Sequence, residues 1–98
     1  MNRTKITDAG LRELTKLKQL VILTLFSTKI TDAGLKEVAK LQKLEELDLV
    51  DTQITDEGIR ELAKLQKLGY LDLYNTKVTD AGVAELKKAL PDCLIEGP

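Results

Sequence analysis

The chain has 98 residues and a formal net charge of −1, with 43% hydrophobic and 32% charged residues, which indicates one small globular domain and excludes a disordered chain. No apolar run approaches the roughly 18 residues of a membrane span, and the first ten residues lack the apolar core of a signal peptide. The chain as given is therefore predicted to be cytoplasmic, with neither a membrane nor a nucleic acid as its partner.

One frame of residues recurs at a constant period along the chain. It opens with isoleucine or valine, continues with Thr-Asp, and reaches a glycine two residues after the aspartate; the openings are Ile6, Ile30, Ile54 and Val78. A constant period of roughly 20–29 residues is typical of one class of solenoid, in which each repeat forms one coil. The sequence predicts a single domain over residues 1–98, with repeats at 6–29, 30–53 and 54–77 and a partial repeat at 78–98.

The first half of each repeat is predicted to form a short helix. Threonine is a favourable N-cap, and the following aspartate lies where the helix dipole stabilises a negative charge, so helix capping explains the Thr-Asp pairs. Apolar residues then recur three apart, as at Ile59, Leu62 and Leu65, with lysine and arginine between them. The glycine near each helix start is expected to let the neighbouring coil approach closely.

The second half of each repeat is predicted to form a short strand. Leucines alternate with variable residues, as at Leu47 and Leu49, so that the leucines point to one side and the residues between them to the other. A strand, a helix and a second strand in the same direction give parallel pairing between coils. A single coil cannot bury its leucines, so stacking of about three coils is needed to form a core.

The strand halves share the pattern L-x-x-L-x-L-x-x-T, which occurs at 20–28, 44–52 and 68–76. In this the chain resembles the leucine-rich repeat family, in particular the bacterial branch with ITDAGL after the strand, and more distantly the cysteine-containing repeats of F-box-type adaptors. The resemblance implies an α/β right-handed solenoid of about four coils, with a short parallel β-sheet on the concave face and helices on the convex face. The family usually carries Asn or Cys where this chain has Thr4, Thr28, Thr52 and Thr76. A threonine hydroxyl can bond in the same place with fewer donors.

In this family the strand residues that point away from the core line the concave face and bind partners. Here they form four columns, which are Ile22, Glu46 and Tyr70; Thr24, Asp48 and Asp72; Phe26, Val50 and Tyr74; and Ser27, Asp51 and Asn75. The resemblance implies a partner-binding site of Phe26, Glu46, Asp48, Val50, Asp51, Tyr70, Asp72 and Tyr74. All three aromatic residues of the chain lie in these columns, as interface anchors do. The alternative is cross-strand packing between neighbouring coils.

Charge is distributed unevenly between the two halves of the repeat. All fifteen lysines and arginines lie outside the three strand segments, and those segments carry only acidic charges. The concave face is therefore predicted to be acidic, which disfavours nucleic acid there and favours a partner with a basic surface. The alternative is a solvated surface that keeps the protein soluble.

Catalytic chemistry finds little support in the sequence. Asp48 and Asp72 would lie about 5 Å apart on adjacent strands, the separation of a retaining glycosidase pair, but any column of a repeat gives that spacing. A cation between Asp48, Asp51 and Asp72 would lack a loop to complete its shell. The chain has no histidine, and its single cysteine, Cys93, cannot form an internal disulfide. We predict no catalytic site, no metal site and no cofactor.

The sequence thus predicts a protein–protein interaction module that binds through the concave face. An alternative is a self-associating unit, or a fragment of a longer leucine-rich repeat protein, with small-ligand or cation binding more distant. The first helix is expected to present an uncovered edge, with Ile6, Leu11 and Leu14 poorly shielded, and two such edges would form a closed homodimer.

The last coil departs from the frame. Pro91 is expected to stop the last helix, and Leu90 to replace the helix-end leucine after one inserted residue. The following residues, Cys93, Leu94 and Ile95, are expected to cover the last coil.

Overall fold

The computed structural model describes residues 7–98, which alternate between helices and strands. The elements are α1 (Asp8–Leu14), β1 (Ile22–Thr24), α2 (Asp32–Val38), β2 (Glu46–Asp48), α3 (Asp56–Ile59) with a 3-10 segment (Arg60–Lys64), β3 (Tyr70–Asp72), α4 (Asp80–Ala89) and β4 (Leu94–Glu96). Each coil therefore contributes one helical segment and one strand, which confirms the predicted α/β solenoid.

The four strands form one parallel sheet in the order β1-β2-β3-β4. Ile22 pairs with Glu46, Glu46 with Tyr70, and Tyr70 with Leu94, so the register advances by one full repeat from each strand to the next. Because consecutive strands in the chain are neighbours in the sheet, each helix packs beside the helices of adjacent coils.

The core lies between the sheet and the helices and is almost entirely aliphatic. The middle residue of each of the first three strands points inward, and Leu23, Leu47 and Leu71 are no more than 2% exposed. The residues on either side of each point outward, as expected for alternation along a strand. Stacking therefore covers leucines that no single coil could bury.

The third coil departs from a regular α-helix. It changes to 3-10 geometry at Arg60, while Ile59, Leu62 and Leu65 are all at most 1% exposed. A 3-10 helix has three residues per turn, so residues three apart lie directly above one another. The spacing that predicted one apolar face is thus satisfied by the tighter helix.

The first coil is better covered on one side than its sequence indicates. Leu11 is 1% exposed and Leu14 is half-buried, so the expectation that both are poorly shielded is wrong for Leu11; Ile6 lies outside the described residues. The reason is the next coil, because a Cβ at Gly34 would lie 2.8 Å from Leu11 Cδ1, and α2 closes over that side chain. Leu17, by contrast, is 53% exposed.

The last coil absorbs one inserted residue before its strand. α4 ends at Ala89, and Leu90 and Cys93, at 5% and 1% exposure, occupy the places of the buried Leu65 and Leu68 one position later than the repeat predicts. The strand then returns to the register of the other three. The expectation that Leu94 covers the coil is wrong, because the side chain is 55% exposed and points outward. Ile95 packs against the core as expected.

The threonine that replaces the family's Asn or Cys closes the turn after each strand. The hydroxyls of Thr28, Thr52 and Thr76 each donate to the backbone carbonyl oxygen three residues earlier, at 2.8 Å. Two of these threonines are at most 4% exposed, so the bond satisfies a buried hydroxyl. The bond lies within one coil, and Thr4 is outside the described residues.

Candidate functional site

The parallel register aligns the outward-facing residues of the four strands into two columns. They are Ile22, Glu46, Tyr70 and Leu94 in the first, and Thr24, Asp48, Asp72 and Glu96 in the second. Leu94 and Glu96 extend both columns by one coil, and they were not predicted because the inserted residue in the last coil hides the register. The regular period, continued from Tyr70 and Asp72, was the signal that could have found them.

A third column lies just beyond the first three strands and consists of Phe26, Val50 and Tyr74. Phe26 and Val50 are half-buried, and Tyr74 is 50% exposed. Ile22 and Leu94, in the first column, are 57% and 55% exposed. The columns on the two sides of the middle column therefore each carry exposed apolar side chains, Ile22 and Leu94 on one side and Tyr74 on the other.

The middle column is acidic, and part of it is held in place by the backbone. Asp48 Oδ1 accepts a hydrogen bond from the Val50 N–H at 2.9 Å, and Asp72 Oδ1 accepts one from the Tyr74 N–H at 3.3 Å. These bonds fix one oxygen of each carboxylate next to the sheet. Glu96 continues the column on β4.

Tyr70 lies beside this column, and the negative charges of the column act on its phenol group. Partial removal from water raises the pKa of Tyr70, and the negative charges of Asp72, Glu96 and Asp48 raise it further. The phenol therefore keeps its proton and donates a hydrogen bond to Asp72 Oδ2 at 3.4 Å. Ile22, Glu46, Asp48 and Tyr70 line a shallow depression of about 140 Å³ on this part of the face.

Asp51 belongs to a separate polar ladder at the turn after the strands. Its carboxylate accepts hydrogen bonds from the Ser27 hydroxyl at 2.6 Å and from Asn75 Nδ2 at 2.8 Å. All three residues have a left-handed backbone, with φ between 57° and 61°, a region that Asn and Asp tolerate better than most residues. The side chain of Asp51 is thus engaged in joining three coils, although it is exposed.

A second ladder joins the helix starts of successive coils. Asp32 accepts hydrogen bonds from the backbone N–H and the hydroxyl of Thr55 in the next coil, at 2.7 and 2.5 Å. The same arrangement recurs in the pairs Asp8–Thr31 and Asp56–Thr79. Each aspartate therefore binds the coil that follows its own.

Helix capping does not explain the Thr-Asp pairs fully, so that interpretation is wrong. Thr7 and Thr31 form no side-chain cap hydrogen bond, and Thr55 and Thr79 accept one only at 3.3 Å. The bonds between coils are shorter, and each aspartate accepts two of them. The repeated pair is mainly a connection between coils.

The glycine of the frame makes room for this connection. A Cβ at Gly58 would overlap Asp32 Oδ1, and a Cβ at Gly82 would overlap Asp56 Oδ1. This confirms that the glycine permits the close approach of a neighbouring coil. Threonine, aspartate and glycine in the frame therefore act as one unit, in which the glycine of one coil leaves space for the aspartate of the coil before it.

We expect the Asp56–Thr79 connection to make stability depend on pH in acid. The two hydrogen bonds from Thr79 hold the pKa of Asp56 below its ordinary value of 3.8, and Arg60 adds to the effect. A carboxyl with a lowered folded-state pKa stabilises the fold above its unfolded pKa, and this contribution is lost as the pH falls through the folded pKa. The urea midpoint should therefore fall as the pH is lowered from about 5 to below the ordinary carboxyl pKa of 3.8, and it should fall less in Asp56→Asn. An equal fall in both proteins would contradict this assignment.

The part of the chain that the structure describes offers little for metal binding, for crossing a membrane or for thiol reactivity. Residues 7–98 contain no group of three or more His, Cys, Asp or Glu side chains placed to hold a metal ion. In the same range no helix has both the length and the apolar character needed to cross a membrane. Cys93 is buried, and burial raises the pKa of its thiol.

Comparison with known proteins gives similarity to one family and to several structures. The family model described as leucine-rich repeats (2 copies) matches residues 42–88. No curated protein sequence matches the chain significantly. The structure of the leiomodin-1 actin-binding site 2 is similar with a TM-score of 0.78 and 20% identity, over 99% of this chain and 67% of that one.

Two further structures are similar over most of this chain. A leucine-rich repeat protein of Leptospira interrogans matches with a TM-score of 0.61 and 26% identity, over 87% of this chain and 27% of that one. The Chaetomium Mex67:Mtr2 subunits match with a TM-score of 0.72 and 20% identity, over 98% of this chain and 73% of that one. At 20% identity the likeness to leiomodin-1 and to Mex67:Mtr2 shows a shared fold alone.

Proposed function

Because this chain belongs to the leucine-rich repeat family, we propose that it binds a protein partner through its concave face. The observation that carries the proposal is the exposure of Ile22, Tyr74 and Leu94 by 50–57% on one face. Apolar side chains grouped on one surface favour a protein interface. The names of two of the similar structures include a protein partner. One is an actin-binding site of leiomodin-1, and the other contains Mex67 together with Mtr2.

Two kinds of side chain have separate roles in this proposal. Phe26, Tyr70 and Tyr74 are the anchors, since aromatic residues are enriched among the residues that dominate binding energy. The acidic residues, Glu46, Asp48, Asp51 and Asp72, set the preference for a basic partner surface. Lysine and arginine are absent from the three strand segments, so no positive charge there opposes such a partner.

We expect Phe26→Ala combined with Tyr74→Ala to abolish capture of the partner while leaving the fold intact. Each truncated anchor should cost about 2 kcal/mol of binding free energy or more. The measurement is a pull-down from cell extract with the wild type and the double variant, followed by titration of the purified partner. Circular dichroism of the variant establishes that the fold is retained.

The matched control is Lys36→Ala combined with Lys88→Ala, which changes two exposed residues on the helix side. Only a protein that the wild type and this control retain, and that the concave-face variant loses, supports the proposal. If the double variant still captures every protein that the wild type captures, the concave face is not the binding site.

A second candidate function is self-association through the first coil. Leu17 and Val21 are 53% and 40% exposed, and with Leu20 they line an open depression beside β1. Their counterparts in the second coil are Leu41, which is fully buried, and Glu45, which is exposed. Two copies that met at this edge would bury the apolar residues in a closed two-fold dimer.

We expect Leu17→Glu to shift the protein towards the monomer if the edge is an interface. Sedimentation over a range of concentrations measures the association of wild type and variant. Hydrogen exchange gives an independent signal, because residues 6–17 should gain protection as the wild-type concentration rises. A wild type that remains a monomer at every concentration would rule out the dimer.

A further inference from the structure

The acidic column crosses the strands. Asp48, Asp72 and Glu96 are partners in the register of β2, β3 and β4, so their backbones follow one another at the spacing of neighbouring strands. That spacing is about 4.8 Å, and the three residues therefore span about 10 Å across the sheet. Thr24 precedes them on β1 without a charge.

Mostly apolar side chains flank Thr24 and this acidic column on both sides, and Glu46 adds one further carboxylate in the column that contains Ile22. Tyr70 and Leu94 lie two residues before Asp72 and Glu96, and Ile22 lies two residues before Thr24 on β1. Val50 and Tyr74 lie two residues after Asp48 and Asp72. Two residues along a strand correspond to about 6.7 Å, so the apolar margins are about 13 Å apart. This separation is close to the diameter of an α-helix with its side chains, which is about 10–12 Å.

The spacing along the column distinguishes the two common forms of a bound segment. Successive turns of an α-helix are about 5.4 Å apart, so three basic residues on successive turns span about 11 Å. An extended segment places side chains on one face about 6.7 Å apart, so three of them span about 13 Å. The backbones of the three acidic residues span about 10 Å, which fits the helix better.

Resting on the proposed function, we infer that the partner's binding element is a basic amphipathic α-helix that lies across the four strands. Arginine or lysine on three successive turns meets Asp48, Asp72 and Glu96. Apolar residues on both sides of that basic stripe contact the exposed side chains of the two margins. The match of charge, width and spacing selects this occupant for the concave face.

Arginine fits the β2 end of the column better than lysine. Among the described residues, Asp48 uses Oδ1 for the backbone bond, and its other oxygen forms no hydrogen bond. The depression of about 140 Å³ beside it is walled by Ile22 and Tyr70. A guanidinium group there can bind the carboxylates of Asp48 and Glu46 and pack against the Tyr70 ring, which an ammonium group does less well.

The test uses an alanine-based peptide of about 15 residues with three arginines on one helical stripe and leucines on both flanks. One control peptide has the same composition with the arginines distributed around the helix, and a second has a central proline that prevents the helix. Binding is measured by fluorescence anisotropy at about 0.05 M and about 0.3 M salt, and the contacted residues are mapped by NMR chemical shifts.

We expect the striped helical peptide to bind about tenfold more tightly than either control, and to weaken at the higher salt. Chemical shifts should change along the concave face from β2 to β4. Asp48→Asn with Asp72→Asn should weaken binding about tenfold. The amide oxygen of asparagine can still accept the backbone bonds, so these variants should fold, which circular dichroism verifies.

Each other outcome overturns the inference. Equal binding of the proline peptide on the concave face would exclude the helix and leave the proposed function standing. Failure of all peptides, while a cellular protein is still captured through Phe26 and Tyr74, would exclude a basic helix and again leave that function standing. The proposed function itself fails only if the double variant Phe26→Ala with Tyr74→Ala captures the same proteins as the wild type.

Discussion

Leu47→Ala is expected to lower the free energy of unfolding by about 2–5 kcal/mol, the range found for leucine truncation in a packed core. Leu47 is 1% exposed and lies in β2, between its register partners Leu23 and Leu71. All three are leucines packed in one core cluster, and a cavity between coils can collapse only if neighbouring coils move. Urea or thermal denaturation measures the loss.

The matched control is Lys43→Ala, four residues earlier in the same repeat. Lys43 is exposed, and its ammonium group donates a hydrogen bond to Gln19 Oε1 at 2.9 Å on the surface. Exposed substitutions of this kind usually change stability by about 0.5 kcal/mol or less. Equal denaturation midpoints for the two variants would contradict the repeat register of the fold.

Gly58→Ala is expected to destabilise the protein by about 1–3 kcal/mol, as is typical when atoms are added to a filled site. Two effects oppose each other here, because Gly58 lies in α3 and alanine favours a helix by about 1 kcal/mol. The new Cβ, however, would overlap Asp32 Oδ1 and lie 2.8 Å from its Cγ and 3.0 Å from its Cα. Asp32 is held by two hydrogen bonds to Thr55, so relief of the overlap breaks the connection between coils.

Gly69→Ala provides the comparison at a site with space. The nearest atom to a Cβ there is the Glu45 carbonyl oxygen at 3.8 Å, an ordinary van der Waals distance. Its urea midpoint should stay close to that of the wild type. A Gly58→Ala protein as stable as Gly69→Ala would show that the overlap is relieved at little cost, and that the glycine is not required by the ladder.

Much of the concave face could be predicted because it depends only on alternation and period. Once Leu47 and Leu49 are assigned to the core, Asp48 must point outward, and the period then aligns Asp48 with Asp72. The partner-binding role of these residues stays a prediction. Leu94 and Glu96 were not predicted to continue these columns, because the inserted residue before Cys93 hides their return to the same register.

The ladders could not be predicted, because they depend on where a side chain of one coil meets the backbone of the next. A Thr-Asp pair has the residues that helix capping favours. Capping preferences depend only on residues that are close in the sequence, so they contain no information about contacts with the neighbouring coil. The bonds of Asp32 to Thr55 join side chains that are far apart in the sequence. In the same way Asp51 could be placed on the concave face, but not in its bonds with Ser27 and Asn75.

The sequence by itself determined the period, the parallel strands, the aliphatic core and the separation of charge, because each follows from a pattern repeated at regular spacing. The tertiary structure decided which ends are covered and which polar groups join the coils. Leu41 is fully buried, whereas Leu17, the corresponding leucine of the first coil, is 53% exposed. Burial of a side chain depends on the coil beside it, and a pattern within one repeat does not contain that information.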